Sequence, residues 1–325
     1  MERRTQAVQK EEPQERGESG AALDVVVHGR WIRIAEVRDD VWLPGQAVED
    51  PESAIEKLKE GKPRADIFTF VQKLPETKPK YGYPMQWDNV AAIPVTTYQE
   101  WWEKRLPQVA RKNVKRAAKR GVVARVAQYD DELVRGIVEI HNDTPTRQGR
   151  PFSHYGKDFQ AVKDDYGSYP ERSEFIGSYL EKELIGIIKL IYLGSETASI
   201  MQLVAKTAHY DKRPTSALIA KAVEVCAQKG VPYLTYGKYT YGNKTQNTLT
   251  EFKARNGFEK IDLPRYYIPL TARGVIAMKL KLHLTLIEVL PGPVINLLRA
   301  VRSAYVKVKA SAAPPPSQGA GLEEE

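Results

Sequence analysis

The spacing of apolar and polar positions changes several times along the chain, and each change predicts an element. Residues 25–27 (three valines) and 31–34 (Trp-Ile-Arg-Ile) predict a strand pair turned at His28-Gly29. Residues 53–60 predict a short helix, and 66–74 a strand rich in β-branched and aromatic side chains. Residues 81–94, with Trp87-Asp88-Asn89-Val90, read as a loop or edge segment. A helix is predicted over 98–120, interrupted near Pro107 and ended by Gly121. A strand over 122–127 and a helix over 130–142 follow, the latter with Leu133, Val134, Ile137, Val138 and Ile140 at helical spacing. After a long polar loop, 144–154, two antiparallel strands are expected over 175–180 and 184–193, turned at Glu181-Lys182-Glu183. A third strand, 198–205, precedes a helix over 214–229 that stops at Gly230. Strand 233–236, helix 248–256 and a last strand over 266–269 complete the pattern.

Antiparallel strands followed by a strand–helix–strand unit define an α+β class with a mixed, mainly antiparallel sheet flanked by helices. The pattern occurs twice, over 23–128 and 129–272, without a repeat in the sequence itself, and a chain of 325 residues suits two domains. Residues 1–22 and 311–325 are expected to be disordered tails. Between the second domain and the last tail, 273–310 reads as a helical segment with Val294, Leu297, Leu298, Val301, Tyr305 and Val308 along one side. With Lys279, Lys281, Arg299, Arg302, Lys307 and Lys309 nearby, it suits an anionic membrane surface, packing on the body of the protein, or a dimer contact. Residues 1–22 carry no apolar leader, and 282–298, which holds Glu288 and two prolines, is too short to span a bilayer. The expectation is a cytoplasmic protein, with peripheral contact at the inner face of the membrane left open.

Charge narrows the partners. A formal net charge of +8 favours an anionic one: RNA, a phosphorylated cofactor or a lipid surface. Cys226 is the sole cysteine and lies among apolar helix positions, which excludes an intramolecular disulfide and a cysteine metal site. The five histidines are scattered, so no metal is expected. No nucleophile-elbow or phosphate-loop motif is present.

Four stretches concentrate candidate chemistry. On the 98–120 helix, Arg111, Lys115 and Lys119 recur at i, i+4 beside Lys112, Arg116 and Arg120, and the like charges repel by about a few tenths of a kcal/mol per pair. Such a stripe suits phosphates, and Arg111 and Lys115 are candidate substrate contacts. The loop holding Arg147, Gln148, Arg150, His154 and Tyr155 is dense enough in polar chemistry to be a substrate lid. Its arginines can clamp a carboxylate or phosphate, and His154 is a candidate general base. Residues 209–216 lead into a helix, where Lys212, Arg213, Thr215 and Ser216 are candidate anion ligands and Asp211 a candidate cap. Finally, 233–241 place Tyr236, Lys238, Tyr239 and Tyr241 around Gly237.

The segment 199–258 resembles the core of the GNAT acyltransferase superfamily, closing on Phe252-Lys253-Ala254-Arg255-Asn256-Gly257-Phe258. With the Leu106-Pro107-Gln108-Val109-Ala110-Arg111-Lys112-Asn113 helix, the likeness narrows to the FemAB group and covers roughly 23–272. That resemblance implies tandem GNAT-like domains and an acyl or aminoacyl transferase acting on an amine, in cell-envelope or surface-polymer synthesis. It implies acyl-CoA or aminoacyl-tRNA as donor, and tRNA and a lipid-linked or polysaccharide precursor as partners. Tyr236 would then sit where the strands splay and act as an acid, Lys253 would neutralise the leaving group, and backbone N–H groups beside Gln202 would hold the oxyanion. Ordinary GNAT enzymes carry glycines in the loop that cradles the coenzyme A pyrophosphate, whereas Asp211-Lys212-Arg213-Pro214-Thr215-Ser216 has none. An acetyl-CoA-dependent N-acetyltransferase and a non-catalytic RNA- or precursor-binding scaffold remain the alternatives.

Overall fold

The computed structural model describes residues 23–40, 46–62, 64–147, 149–241 and 248–284. In the first half, β1 (Val25–His28) pairs antiparallel with β2 (Ile34–Val37), α1 (Pro51–Glu60) follows, and β3 (Ile67–Val71) runs parallel to β2. Next come β4 (Met85–Pro94), the single turn α2 (Tyr98–Glu100) leading into a π-turn at Trp101–Arg105, and α3 (Gln108–Lys119). The break falls at Leu106-Pro107, as expected, because proline has no N–H and drives the residue before it out of the helical region. β5 (Val122–Ala127) and α4 (Asp131–Asn142) match their sequence pattern, with Asp130 capping α4 through the Leu133 amide at 2.8 Å.

The expected loop after α4 contains a small hairpin, β6 (Thr146–Arg147) with β7 (Arg150–Pro151), and then α5 (Phe159–Tyr166). β8 (Ser173–Leu180), β9 (Glu183–Leu193) and β10 (Thr197–Ala205) form a meander. After it come α6 (Pro214–Gln228), β11 (Tyr233–Thr235), α7 (Thr248–Arg255), β12 (Glu259–Pro269) and α8 (Ala272–Lys279). The expected amphipathic positions from Val294 onward lie outside the described residues, as do the two tails.

Ten strands make one sheet in the order β1-β2-β3-β12-β4-β11-β10-β9-β8-β5, with only β2–β3 and β10–β11 parallel. Two expectations change here. Residues 85–94 are no edge segment: β4 lies inside the sheet between β12 and β11. β12 also starts at Glu259 rather than 266, and it inserts between β3 and β4 so that the end of the second half completes the first.

Adjacent residues of β9 point to opposite faces, and two cores follow from that alternation. Ile188 and Leu190 meet α3 and α6 through Ala110, Leu218, Val223 and Cys226, joined by Trp101, Leu106 and Phe258. Ile187 meets α4 and α5 through Leu133, Val134, Ile137, Ile140, Val162 and Tyr166. A third core, around Ala35, Phe68, Phe70 and Tyr266, supports the first half beneath α1.

Candidate active site

β10 and β11 run side by side only from Thr197 to Ser199. Beyond Thr235 the chain leaves β10 and turns onto β4, where the Tyr236 amide donates to the Ala91 carbonyl and the Ala91 amide to the Gly237 carbonyl, both at 2.8 Å. The rest of β10 pairs with β9 alone, and a bulge between Ile200 and Gln202 bends it at that point. The strands therefore open into a wedge whose β10 wall presents backbone groups with no neighbouring strand. Gln202 stands on this wall, half-buried, opposite Lys189 of β9.

Lys253, on α7, is 1% exposed. Its Nζ donates to the Lys238 carbonyl at 2.5 Å and lies 4.9 Å from the Tyr236 ring centre and 5.2 Å from that of Tyr241. Among the described residues no carboxylate pairs with it, and burial pushes its ammonium down to about 8. Tyr236 packs against Phe252 and Phe258, and burial pushes its phenol up to about 12, so it stays protonated over the working range. The Asn256-Gly257-Phe258 closure holds this geometry: Gly257 takes φ +83, where glycine is unstrained, and the Phe258 amide returns to the Lys253 carbonyl at 3.0 Å.

The first half anchors the tyrosine loop. Lys238 Nζ reaches Asp88 at 2.8 Å, the Thr240 amide donates to Asn89 at 2.8 Å, and Asp88 also accepts from Arg265 Nε at 2.9 Å. Arg265 meets Glu36 at 2.9 Å, while Lys73 pairs with Asp40, whose carboxylate accepts the Val71 amide at 3.0 Å. Burial opposes ionisation of Asp88, but Arg265 and Lys238 outweigh it and hold the carboxyl below the usual aspartate range. Arg265, buried among these carboxylates, is raised above an ordinary arginine. Of these charged residues only Lys238 stood in a candidate stretch of the sequence; Asp88, with Asn89, read as part of a loop or edge segment, and Glu36, Asp40, Lys73 and Arg265 were not singled out.

The entry to α6 differs from its expectation. Asp211 does not cap the helix: it accepts from Arg120 at 2.6 Å, and the N-cap is Arg213 in the left-handed region at φ 61. The Ser216 and Ala217 amides both return to the Arg213 carbonyl, and Pro214 has none, so few donors are left for a pyrophosphate. Lys212, Thr215 and Ser216 are partly accessible and Arg213 is exposed at this end. The turn before it, Thr207–Lys212, is tied to the end of α4, since Asp143 accepts from the Thr207 amide at 2.6 Å and from its hydroxyl. The 144–154 loop and the α6 entry are thus brought together.

Within that loop, Arg147 donates to the Ile140 carbonyl at 3.0 Å and stacks 3.9 Å from the Phe152 ring centre, which commits it to capping α4. Arg150 and Tyr155 are exposed, and Gln148 lies outside the described residues. His154 packs at a tilt against buried His141, ring centres 4.7 Å apart, and no hydrogen bond or ring contact links it to Gln202, Tyr236 or Lys253. Burial, with Lys157 close by, pushes His154 below the usual histidine value and His141 down to about 4.

On α3, Arg111 donates to the Glu103 carbonyl at 3.3 Å, while Lys112, Lys115, Arg116 and Lys119 are exposed and, among the described residues, without acidic partners. The Arg120–Asp211 pair joins this stripe to the α6 entry. A second buried lysine, Lys189, was missed, although a lysine inside the apolar run of β9 was its signal. It is saturated by the Tyr166 and Ser168 carbonyls at 2.7 and 2.5 Å and by the Ser168 hydroxyl at 2.8 Å, and burial pushes it down to about 8. Among the described residues, no group of three metal-ligating side chains comes together.

A mixed sheet opened between two parallel strands, with a helix entering from the wedge and a second half-sheet latched beside it, is a fold shared with solved structures. The solved structure of FemX is similar at a TM-score of 0.55 and 12% identity, over 78% of this chain and 85% of that one. That of L-PGS from Bacillus licheniformis is similar at a TM-score of 0.50 and 12% identity, over 79% and 83%. PaiA N-acetyltransferase from Thermoplasma acidophilum, in complex with coenzyme A, matches 44% of this chain and 98% of its own at 12% identity, with a TM-score of 0.32, too low to argue from. At these identities the likeness is one of fold. No protein-family model matches the sequence, and a comparison with curated proteins finds no match.

Proposed function

We propose that this chain is an aminoacyl transferase that moves its group from aminoacyl-tRNA onto an amine acceptor, a lipid-linked or polysaccharide precursor of the cell envelope. The observation that carries the reading is Lys253: a buried ammonium set between two tyrosines, with no carboxylate partner among the described residues. A cation left uncompensated in a low-dielectric site is suited to charge that arrives with the substrate or develops in the transition state.

In this reading the acceptor amine attacks the ester carbonyl directly. A carbon–nitrogen bond forms, the carbon–oxygen bond to the terminal ribose breaks, and the amine proton ends on the departing ribose oxygen. Backbone N–H groups of β10 beside Gln202 receive the oxyanion, Lys253 neutralises the departing oxygen, and the Tyr236 phenol passes it a proton and recovers the one the amine gives up. The half built on β8–β11, α6 and α7, with α3 and β5 packed on it, acts as the catalytic half, and the half built on β1–β4 and β12 fixes the tyrosine loop and the acceptor. Arg150, His154 and Tyr155 face the acceptor, with Arg147 shaping their loop. The sparse amides at the α6 entry weigh against coenzyme A, and the exposed cations of α3, without acidic partners among the described residues, suit a phosphate backbone together with Lys212, Arg213, Thr215 and Ser216.

The test supplies tRNA charged with a labelled amino acid together with a cell-envelope precursor fraction. Label should move into an alkali-stable amide, and Lys253→Met should slow transfer by about 10²–10³. Product from acetyl-CoA instead would select the acetyltransferase, and tRNA binding without product would select the scaffold.

A further inference from the structure

The end of the molecule where β3 begins carries a surface that the transfer chemistry does not use. The buried Asp66 carboxylate accepts the Arg33 amide at 3.0 Å and the Thr271 hydroxyl at 2.8 Å, which holds the 29–33 turn beside the first turn of α8. α8 lies close on this backbone: a Cβ at Gly274 would fall 2.0 Å from the Asp66 carbonyl. Gly274 and Ala277 are its buried residues, so the other flank faces outward. There Val275 is 41% exposed, Ile276 58%, Leu280 63% and Leu282 58%, and Trp31 on the neighbouring turn is 80% exposed. Arg30, Arg33, Arg64, Arg273, Lys279 and Lys281 are exposed around them, none ion-paired among the described residues, and α8 has no acidic residue.

We propose that this face docks on an anionic lipid bilayer, with the α8 aliphatic side chains below the head groups, Trp31 at the boundary and the cations on the phosphates. Aliphatic side chains gain nothing from a nucleic-acid backbone, which argues against RNA here. A second copy would set six cations against six like charges across a two-fold axis, with no acid on α8 to offset them. The sequence that follows this face, 285–298, has Glu288 as its one charged residue, so the chain continues apolar from the same place. The surface stands apart from the aminoacyl-transfer reading, and its test is independent of that chemistry.

The full chain is sedimented with vesicles of phosphatidylcholine alone and of phosphatidylcholine mixed with phosphatidylglycerol. Binding is expected to the mixed vesicles only, falling as salt is added. Ile276→Glu with Leu280→Glu, or Arg273→Glu with Lys279→Glu, should each weaken it by about tenfold or more. All four positions are exposed, so thermal unfolding should not move. Absence of vesicle binding, or equal binding by both variants, overturns the proposal. A concentration-dependent dimer broken by the Ile276/Leu280 variant would assign the face to a second copy instead.

Discussion

Replacing Lys253 with methionine separates the physical state of this lysine from its role. Its folded value of about 8 against the ordinary 10.5 corresponds to about 3 kcal/mol of cost for carrying the charge, at 1% exposure. The sign follows from proton counting. Between pH 8 and 10.5 the unfolded chain holds a proton on this side chain that the folded one has released, so stability rises with pH through that window. From pH 7 to 9.5 the gain from this residue is about 2 kcal/mol, and the Lys253→Met protein should lack it. At pH 7 the variant loses a hydrogen bond to the Lys238 carbonyl, about 1–2 kcal/mol, but also the cost of the buried charge, and should be at least as stable as the parent. Urea unfolding of both proteins at the two pH values measures this. Lys189 titrates in the same direction in both, so it cancels in the comparison. Equal pH dependence in parent and variant would refute the reasoning. If Lys253 acts as an ammonium, transfer should also fall as pH rises through about 8.

Asp88→Asn should destabilise the protein by about 3 kcal/mol or more at neutral pH in urea unfolding, because Arg265, 7% exposed, keeps its charge and loses a partner. In the parent, the stability carried by ionised Asp88 is present above pH 3.8 and should be lost as pH falls through its lower folded value. Lys112→Glu with Lys115→Glu should weaken tRNA binding across sequences, read by filter binding. The same pair should flatten the plot of log affinity against log salt by about 0.7–0.9 for each phosphate that is no longer neutralised. Cys226 is 0% exposed with its thiol pushed up to about 12, so iodoacetamide should label it only on unfolding, and mass spectrometry of the native protein at pH 8 should find it unmodified.

Much of the second half was legible because its elements carry clean periods. The valine- and isoleucine-rich run of β9, the helical spacing of Leu218, Ile219, Ala222, Val223 and Cys226, and the Asn256-Gly257-Phe258 stop all place themselves. β4 did not, because Trp87, Asp88 and Asn89 interrupt the alternation, and the partners that hold Asp88 in the sheet lie 150 and 177 residues away. No local pattern encodes such a network. α5 was hidden by its polar content and its short length, although Asp158 caps it through the Ala161 amide at 2.8 Å. In the candidate site, Tyr236 and Lys253 were named from the sequence and meet in space, whereas His154 pairs with His141, a contact between a loop and the buried side of α4 that spacing alone could not give. Arg147 was read as a clamp for substrate, yet the unsatisfied carbonyls at the end of α4 claim it first.

The central claim is that the glycine-free α6 entry and the Lys253 wedge serve an aminoacyl-tRNA. The most direct measurement is calorimetric titration of the purified protein at low salt with acetyl-CoA and, separately, with charged tRNA. The account predicts saturable, salt-sensitive binding of the tRNA, weakened by charge removal at Lys212 and Arg213, and no heat from acetyl-CoA. Saturable acetyl-CoA binding that depends on those two residues, with tRNA silent, would contradict it.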